Sequence, residues 1–454
     1  MSQIKISEMM KKARKAQKEF ETFSQEKVDE IVREIAKVVY DNAEELAKIA
    51  VDETQMGVYE DKVAKNKGKS KVIWNDLRDK KSIGILREIE EEGITEIAKP
   101  IGVIGAVAPT TNPTVTAMSN AMFALKGGNS VIVAPHPRSK KTSKITVDYI
   151  NEAISKLGAP ENIIQNIEEP SIELTSELMK TVDVVIATGG AGMVKAAYSS
   201  GKPAYGVGPG NVQCIIDEGY DYEDAAPKII VGRKFDNGII CSGEQSVIIP
   251  EKDEQKILDI FKENGAFIIE DEDDVEKLRN TIFENNANSK YTVGQSVQKI
   301  ANLADVEVPE GTKVIMAKAK GPGDKDLLSK EKMCPVLAIY TYKDFDEAID
   351  IAQTNLELEG KGHTCSIHSN NDENIKKAGL YITVSRFVIN QPSSTTAGGS
   401  LQNGFAPTTT LGCGTWGNNI ISENFTYKHM INVSRIGKFL ENKEVPTDEE
   451  IWEK

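Results

Sequence analysis

The feature that most constrains the fold is an alternation of short apolar runs with longer amphipathic stretches between residues 101 and 187. Residues 101–108 are continuously apolar, and the next stretch opens with Pro113 and closes at Gly127, as helices do. Further apolar runs of strand length follow at 130–134, 162–167 and 182–187. Strands that are apolar throughout must be covered on both faces, so the pattern predicts a parallel sheet between two helical layers.

The same alternation resumes after a Gly/Pro-rich segment at 203–211. The predicted fold class is therefore α/β, with two doubly wound, Rossmann-like domains and a small oligomerisation arm. We place the first domain at 1–207, the second at 208–403, and a return to the first domain, with an arm strand, at 404–454. Residues 87–99 alternate around a glycine and predict an exposed hairpin in the arm, of a kind that often pairs with another subunit.

Composition excludes some classes of partner. The formal charge of −14 argues against nucleic acid and against an anionic membrane surface. Five irregularly spaced cysteines suit a reducing compartment, and the sequence has no apolar span of about 18 residues, so we expect a cytoplasmic protein. The four histidines lack the spacing of metal ligands, and we expect no metal.

Polar residues and glycines follow the strands of the first predicted sheet, where ligands bind in doubly wound folds. These candidate cofactor-binding residues are Pro109, Thr110, Thr111, His136, Pro137, Arg138, Thr188, Gly189 and Gly190. The G-x-G-x-x-G fingerprint is absent after the first strand, so the two glycines could also form only a tight turn.

Cys241 lies where an apolar run breaks into Ser242 and Gly243, a place where free backbone N–H groups can stabilise a thiolate. The sequence therefore favours Cys241 as a nucleophile, with a buried core cysteine as the alternative. Cys413, between two glycines, is a rival nucleophile. The Lys-rich run 62–71 predicts a solvated helix face.

Asn112, Gly189–Gly190, Cys241 and Glu331 followed by Pro335 occur in an order and spacing that resemble the aldehyde dehydrogenase superfamily. The segments 208–211 and 237–245 are most similar to its CoA-acylating branch, and the resemblance extends over nearly the whole chain. It implies that the Cys241 thiolate attacks an aldehyde, that the Asn112 side chain and the Cys241 N–H hold the oxyanion, and that a Cys241 thioester passes to coenzyme A after hydride transfer.

The resemblance also implies how the acyl group is released. Hydrolytic members carry a glutamate base where this chain has Gly206, so water is poorly activated and the thiol of coenzyme A is the preferred acceptor. His363 matches a histidine of the acylating branch and is expected to accept the thiol proton.

For the cofactor, the resemblance assigns Glu331 to the ribose and adds Gly208 and Pro335 to the site. The position where NAD-preferring members often carry an acid falls near Ser139, with Arg138, Lys140 and Lys141 around it, which favours NADP, with NAD as the alternative. The resemblance is nearest to enzymes that interconvert succinyl-CoA and succinate semialdehyde. Candidate partners for an anionic acyl tail are Ser242, Arg386, Ser393, Ser394 and Thr395.

Three alternatives stay open. Arg386 could equally form a structural ion pair. The aldehyde could be sulfoacetaldehyde or acetaldehyde, since a sulfonate would satisfy the same donors. Cys241 and His363 could instead serve an acyl transferase or thiol hydrolase without hydride transfer. The family's assembly implies a homodimer or a dimer of dimers.

Overall fold

A computed structural model describes residues 2–453. Its α-helices are α1 Ser2–Phe20, α2 Gln25–Asp41, α3 Ala43–Thr54, α4 Tyr59–Leu77, α5 Pro113–Lys126, α6 Lys140–Ser155, α7 Ile172–Thr181, α8 Ala191–Tyr198, α9 Tyr222–Lys234, α10 Glu254–Glu263, α11 Glu272–Ile282, α12 Val297–Ala304, α13 Phe345–Leu358, α14 Asp372–Tyr381, α15 Ser393–Thr396 and α16 Asp448–Trp452. Between residues 2 and 453, none of these helices is both long and apolar enough to cross a bilayer.

The strands fall into three larger sheets and one short hairpin. They are β1 Ile85–Ile89, β2 Ile94–Pro100, β3 Val103–Ala108, β4 Ser130–Pro135, β5 Ile164–Asn166, β6 Val184–Thr188, β7 Ala204–Val207, β8 Val212–Ile216, β9 Glu244–Pro250, β10 Ala266–Ile269, β11 Phe283–Glu284, β12 Ala287–Asn288, β13 Val314–Lys318, β14 Val336–Tyr342, β15 Cys365–His368, β16 Phe387–Ile389 and β17 Ile431–Gly437.

The first sheet has five parallel strands in the order β5-β4-β3-β6-β7. Alternate residues enter different cores: Ile104 and Ala106 face one helical layer, and Val103 and Val107 face the layer that contains α1 and α7. The predicted parallel sheet covered on both faces is confirmed. The strand order reverses at β3, so the carboxyl end of β3 opens into a crevice, where doubly wound folds bind ligands.

The second sheet has seven parallel strands in the order β10-β13-β14-β9-β8-β15-β16. Its strands also divide their side chains between two cores, one under α9 and α10 and the other under α11 to α14. The chain passes from the first sheet to the second between Val207 and Val212.

The arm is a three-stranded antiparallel sheet with the order β1-β2-β17. The predicted hairpin at 87–99 corresponds to β1 and β2, which are joined through a short 3₁₀ turn and Gly93, a residue with a φ of 65°. β17 pairs with β2 along its whole length, so residues far apart in the sequence close the sheet within one chain.

Candidate active site

The site lies where the carboxyl edge of the five-stranded sheet meets the amino edge of the seven-stranded sheet. Asn112 follows β3, and Thr188 ends β6. Cys241 precedes β9, Glu331 precedes β14 and His363 precedes β15. Parallel strands start at a common edge, so residues separated by more than a hundred positions in the second domain converge on one place.

A cavity of about 230 Å³ opens beside Cys241, and we refer to it as the Cys241 cavity. Its apolar wall includes Val72, Val115, Phe235, Ile240 and Leu411. The polar side chains that line it are Lys65, Lys69, Asn112, Ser242, Ser394, Thr395, Ser400, Thr408 and Thr409. The predicted nucleophile, the predicted oxyanion donor and three of the five predicted substrate residues therefore share one cavity.

The thiol of Cys241 is held in its neutral form in the free protein. Burial raises the pKa of Cys241 to about 12, and the negative charge of Glu331 adds to the shift. Arg386 opposes the shift through its positive charge. Attack by the predicted nucleophile would therefore require removal of a firmly bound proton, since the thiolate is the nucleophilic form of cysteine.

Asn112 stands at the N-cap of α5 but makes no capping hydrogen bond with its side chain. Its Oδ1 instead accepts a hydrogen bond from the ammonium group of Lys65. Among the residues that the structure describes, its Nδ2 donates to Thr111 Oγ1 alone, at 3.4 Å. The amide therefore keeps N–H capacity toward the Cys241 cavity, as a donor to an oxyanion requires.

The lysines of α4 correct one sequence prediction. The run 62–71 was expected to be a solvated face, but the side chains of Lys62 and Lys65 are only 5% and 9% exposed and both pair with Asp236. Burial lowers the pKa of Lys62 to about 8, and the charge of Lys65 lowers it further. Lys62 lies on the buried face of α4 together with Asn66, Ser70, Ile73 and Leu77. This face has the 3.6-residue period of a buried helix face, but its first half consists of polar side chains.

Lys69 is a further residue of the site that the sequence analysis missed. Its ammonium group lines the Cys241 cavity and donates to the carbonyl oxygen of Gly398 at 2.8 Å. Burial lowers the pKa of Lys69 to about 8, while the charge of Cys241 acts in the opposite direction. Lys69 is thus a half-buried cation in the same cavity as Cys241.

His363 is fully buried, with Nδ1 2.9 Å from Thr364 Oγ1 and Nε2 without a protein partner. Burial lowers the pKa of His363 to about 3, so the ring is neutral at physiological pH. Gly210 separates it from the nucleophile: a Cβ at this position would lie 2.0 Å from the Cys241 carbonyl oxygen and 3.2 Å from His363 Cε1. Only glycine allows this approach of the two residues.

Glu331 is buried, and its Oε1 accepts the backbone N–H of Gly210 at 3.1 Å. Burial raises the pKa of Glu331 to about 8, and the charge of Glu359 contributes. Pro335 is buried at the start of β14, where its carbonyl accepts the N–H of Ile315. Glu331 is thus bound to Gly210, the residue that packs against the Cys241 carbonyl group, and Pro335 leads into β14.

The crevice at the end of the first sheet fits a nucleotide. Added Cβ atoms at Gly190 and Gly208 would meet no atom within 4 Å, and Thr110 Oγ1 is buried without a partner. Gly190 is the N-cap of α8, whose N–H groups suit a phosphate. The other predicted residues here, Pro109, Thr111, Thr188 and Gly189, are all half-buried along this crevice.

The segment that follows β4 carries the predicted determinants of cofactor choice. His136, Pro137 and Arg138 are exposed, Ser139 is buried, and the half-buried Lys140 pairs with Glu169. Glu53 approaches from α3 and accepts the backbone N–H groups of Lys141 and Thr142, at 2.8 and 2.7 Å. The first turn of α6 is therefore capped by a carboxylate, and the exposed positive charges next to it come from Arg138 and Lys141.

The structure does not bring every predicted substrate residue into the cavity. Arg386 is 2% exposed and donates to acceptors on four residues, among them the carbonyl oxygens of His363 and Gly412, both at 2.7 Å. Ser393 is buried, and its N–H binds Glu244 Oε1 at 2.7 Å. Ser242, Ser394 and Thr395 do line the cavity.

Gly206 faces the side chains of α8. A Cβ at this position would lie 2.8 Å from Val194 Cγ1 and 2.9 Å from Tyr198 Cε2. The Tyr198 hydroxyl accepts the N–H of Gly206 at 3.0 Å and that of Ile420 at 3.2 Å. The position to which the resemblance assigns the glutamate base of hydrolytic members is thus closed by an aromatic ring.

Comparison with known proteins agrees with this geometry. The model of the aldehyde dehydrogenase family matches residues 1–408. A succinate-semialdehyde dehydrogenase (acetylating) of Clostridium kluyveri is 60% identical over 99% of both chains, and a sulfoacetaldehyde dehydrogenase of Acholeplasma sp is 43% identical over 98% of this chain and 93% of its own. The crystal structure of an acetylating aldehyde dehydrogenase from Geobacillus thermoglucosidasius superposes with a TM-score of 0.94, at 36% identity and with 98% of both chains covered. The chain therefore belongs to the aldehyde dehydrogenase family and is an acylating aldehyde dehydrogenase.

Proposed function

We propose that this enzyme interconverts succinyl-CoA and succinate semialdehyde, with Lys69 as the cation that binds the acyl carboxylate. The observation that carries the proposal is the half-buried Lys69, which lines the cavity that contains Cys241. The other walls are largely apolar, which suits the methylene groups of a four-carbon acyl chain. The Clostridium kluyveri relative carries this activity in its name, which supports the same substrate here.

In the oxidative direction, the Cys241 sulfur bonds to the aldehyde carbon and loses its proton. His363 is neutral and its Nε2 has no partner among the described residues, so we assign the proton transfer to it, directly or through a water molecule. Because burial raises the pKa of Cys241 to about 12 and lowers that of His363 to about 3, the proton leaves as the carbon–sulfur bond forms and makes the S–H group acidic, and His363 then releases the proton to solvent. Asn112 Nδ2 and the Cys241 N–H donate to the oxyanion. A bound nicotinamide supplies the hydride acceptor, or the hydride donor in the reverse direction. The thiol of coenzyme A then attacks the Cys241 thioester, and the acyl-CoA leaves as the Cys241 sulfur regains a proton.

We further propose that NADP is preferred to NAD. The resemblance to the family assigns Glu331 to the ribose of the cofactor, and Arg138 presents an exposed guanidinium group after β4, a position that would suit a 2′-phosphate. Arg138→Ala should raise the KM for NADPH about tenfold or more and leave the KM for NADH nearly unchanged. An equal rise for both cofactors would overturn this preference.

The substrate is tested by initial rates of NADPH and NADH oxidation with succinyl-CoA, acetyl-CoA and sulfoacetyl-CoA. Succinyl-CoA should give the highest kcat/KM, and Cys241→Ala should be inactive. Lys69→Met should lower kcat/KM for succinyl-CoA about thirtyfold or more, because a buried charge pair loses one partner, and should leave acetyl-CoA within about threefold. Lys71→Met, on the exposed side of the same helix, is the matched control.

Each outcome has a separate meaning. A preference for sulfoacetyl-CoA that depends on Lys69 would keep the anion-binding role and change the substrate. A Lys69→Met variant with unchanged selectivity would remove that role. An enzyme that releases CoA from acyl-CoA without oxidising NADPH would be an acyl transferase or thiol hydrolase.

We also propose that subunits pair through the arm. The outer edge of β17 carries Ile436, which is 49% exposed, and the segment beyond it carries Phe439, which is 89% exposed. Size-exclusion chromatography with light scattering should give a dimer or tetramer, and a pure monomer would contradict the proposal.

A further inference from the structure

We propose that Lys65 is a positioning residue for the oxyanion hole: it holds the Asn112 amide with its N–H group toward the reacting oxygen and ties that amide to the loop that carries Cys241. The inference rests on the proposed role of Asn112 as the oxyanion donor. It comes from the hydrogen bonds of the Lys65 ammonium group, which connect two separate parts of the site.

The first hydrogen bond fixes the orientation of the amide. Lys65 Nζ donates to Asn112 Oδ1. A flipped amide would place the Nδ2 hydrogens against the ammonium group, donor against donor, so only one orientation is stable. A charged donor on the carbonyl side also polarises the amide and strengthens the N–H group as a donor at its other end.

The second hydrogen bond anchors the lysine. Lys65 Nζ also pairs with Asp236 Oδ2, and the Asp236 side chain is fully buried. Burial alone would raise the pKa of Asp236, but the charges of Lys65 and Lys62 hold it below its ordinary value. The other oxygen of Asp236 accepts the N–H of Val58 at 2.9 Å. The carboxylate is therefore charged and immobile, and it holds the ammonium group at a fixed point.

Asp236 also sets the path of the chain toward the nucleophile. Asp236 and Asn237 both have a φ of 52°, a left-handed conformation that is unfavourable for residues with a Cβ. Asp61 accepts the Asp236 N–H at 2.8 Å, and Asn237 Nδ2 binds the carbonyl oxygens of Gly57 and Gly294. The turn is thus held on several sides, four residues before Cys241. Lys65 connects this turn to Asn112, and so it sets the distance between nucleophile and oxyanion donor.

Their hydrogen bonds distinguish the role of Lys65 from that of Lys69, its neighbour one helical turn away. Lys65 donates two of its three N–H groups to side-chain oxygens, those of Asn112 and Asp236. Lys69 makes a single protein hydrogen bond, to a backbone carbonyl. Lys69 is therefore the cation available to an acyl tail, and Lys65 acts through Asn112.

The test is a double-mutant cycle of Lys65→Met and Asn112→Ala in the full-length enzyme, measured by NADPH oxidation with succinyl-CoA and with acetyl-CoA. Loss of one oxyanion donor lowers kcat by about a hundredfold to a thousandfold. Lys65→Met should lower kcat about tenfold to a hundredfold for both acyl groups, with KM within about threefold. In the Asn112→Ala background, the same substitution should lower kcat less than about threefold, because Lys65 then has no amide to orient.

Lys65→Gln, which keeps a donor for Asn112 but no charge, should recover part of the kcat. Thermal melts of each variant ensure that only folded enzyme is compared. Lys69→Met is the matched control. Its effect on kcat/KM for succinyl-CoA should be the same fold-change in the wild-type and Asn112→Ala backgrounds.

Three results would overturn the inference. If the effects of Lys65→Met and Asn112→Ala multiply fully, Lys65 does not act through the amide. If Lys65→Met raises KM for succinyl-CoA alone, Lys65 binds the acyl tail. If both Lys65 variants fold poorly and lose kcat only in proportion to the folded fraction, Lys65 is a structural residue. Full activity of Asn112→Ala alone would instead refute the proposed oxyanion role.

Discussion

Alkylation of Cys241 in the free enzyme should be slow at neutral pH and should accelerate as the pH rises. With its pKa raised to about 12 by burial, the thiolate is about one part in 10⁴ to 10⁵ of the protein at pH 7.5, compared with about one part in ten for an ordinary cysteine of pKa about 8.5. The rate with iodoacetamide should therefore rise about tenfold per pH unit from pH 6.5 to 8. Mass spectrometry of Cys241 peptides after quenching gives the rate for this one site.

The rate of Cys241 alkylation should rise less steeply with pH above pH 8 because of Glu331. Its own pKa is raised to about 8, so its carboxyl group becomes charged over the same interval and opposes ionisation of Cys241. In Glu331→Gln, the rate should match the wild type near pH 7 and exceed it severalfold at pH 10. The exposed Glu373→Gln is the control. A rate that is fast and independent of pH from 7 to 9 would mean a preformed thiolate and would refute the reasoning.

Three further predictions concern residues around the nucleophile. Gly206→Glu alone should not produce free acid from acyl-CoA, because Tyr198 fills the position, whereas Gly206→Glu with Tyr198→Ala should raise acid release in an assay of thioester hydrolysis. Arg386→Met should lower the free energy of unfolding by about 3 kcal/mol, since it strands buried carbonyl groups, and denaturant titration measures this loss. Cys413→Ala should still form the acyl-enzyme seen by mass spectrometry, because the buried Cys413 does not line the cavity, and Cys241→Ala should not.

Much of the fold could be predicted because the strands of both sheets are apolar on both faces. The run at 101–108 and the helix that begins at Pro113 follow directly from period and capping residues. The closing of the arm could not be predicted in this way. β17 pairs with β2 across more than 300 residues, and an alternating edge strand does not reveal its partner.

The candidate site also contains some residues that the sequence predicts and others that only the tertiary fold reveals. Cys241 could be predicted because an apolar run breaks there, and Asn112 and Ser242 because of the resemblance to the family, and these residues do meet at one cavity. Lys65 and Lys69 were missed because lysines at helical spacing usually cover a solvated face. Their burial depends on Asp236 and on Gly398, which are brought to α4 only by the tertiary fold. Single-sequence patterns contain no such information.

The buried face of α4 explains how the site tolerates so much charge. Lys62 and Lys65 enclose Asp236 and neutralise it, which fixes the turn before the nucleophile. Lys69, one turn further along, has no carboxylate partner among the described residues, and burial already lowers its pKa to about 8. A half-buried ammonium group without a carboxylate partner costs free energy in the empty enzyme, and an anionic acyl tail would relieve that cost. The same face of α4 therefore holds the turn at Asp236 in place at one end and presents Lys69 without a carboxylate partner at the other. Binding of an anionic substrate would place a negative charge opposite Lys69.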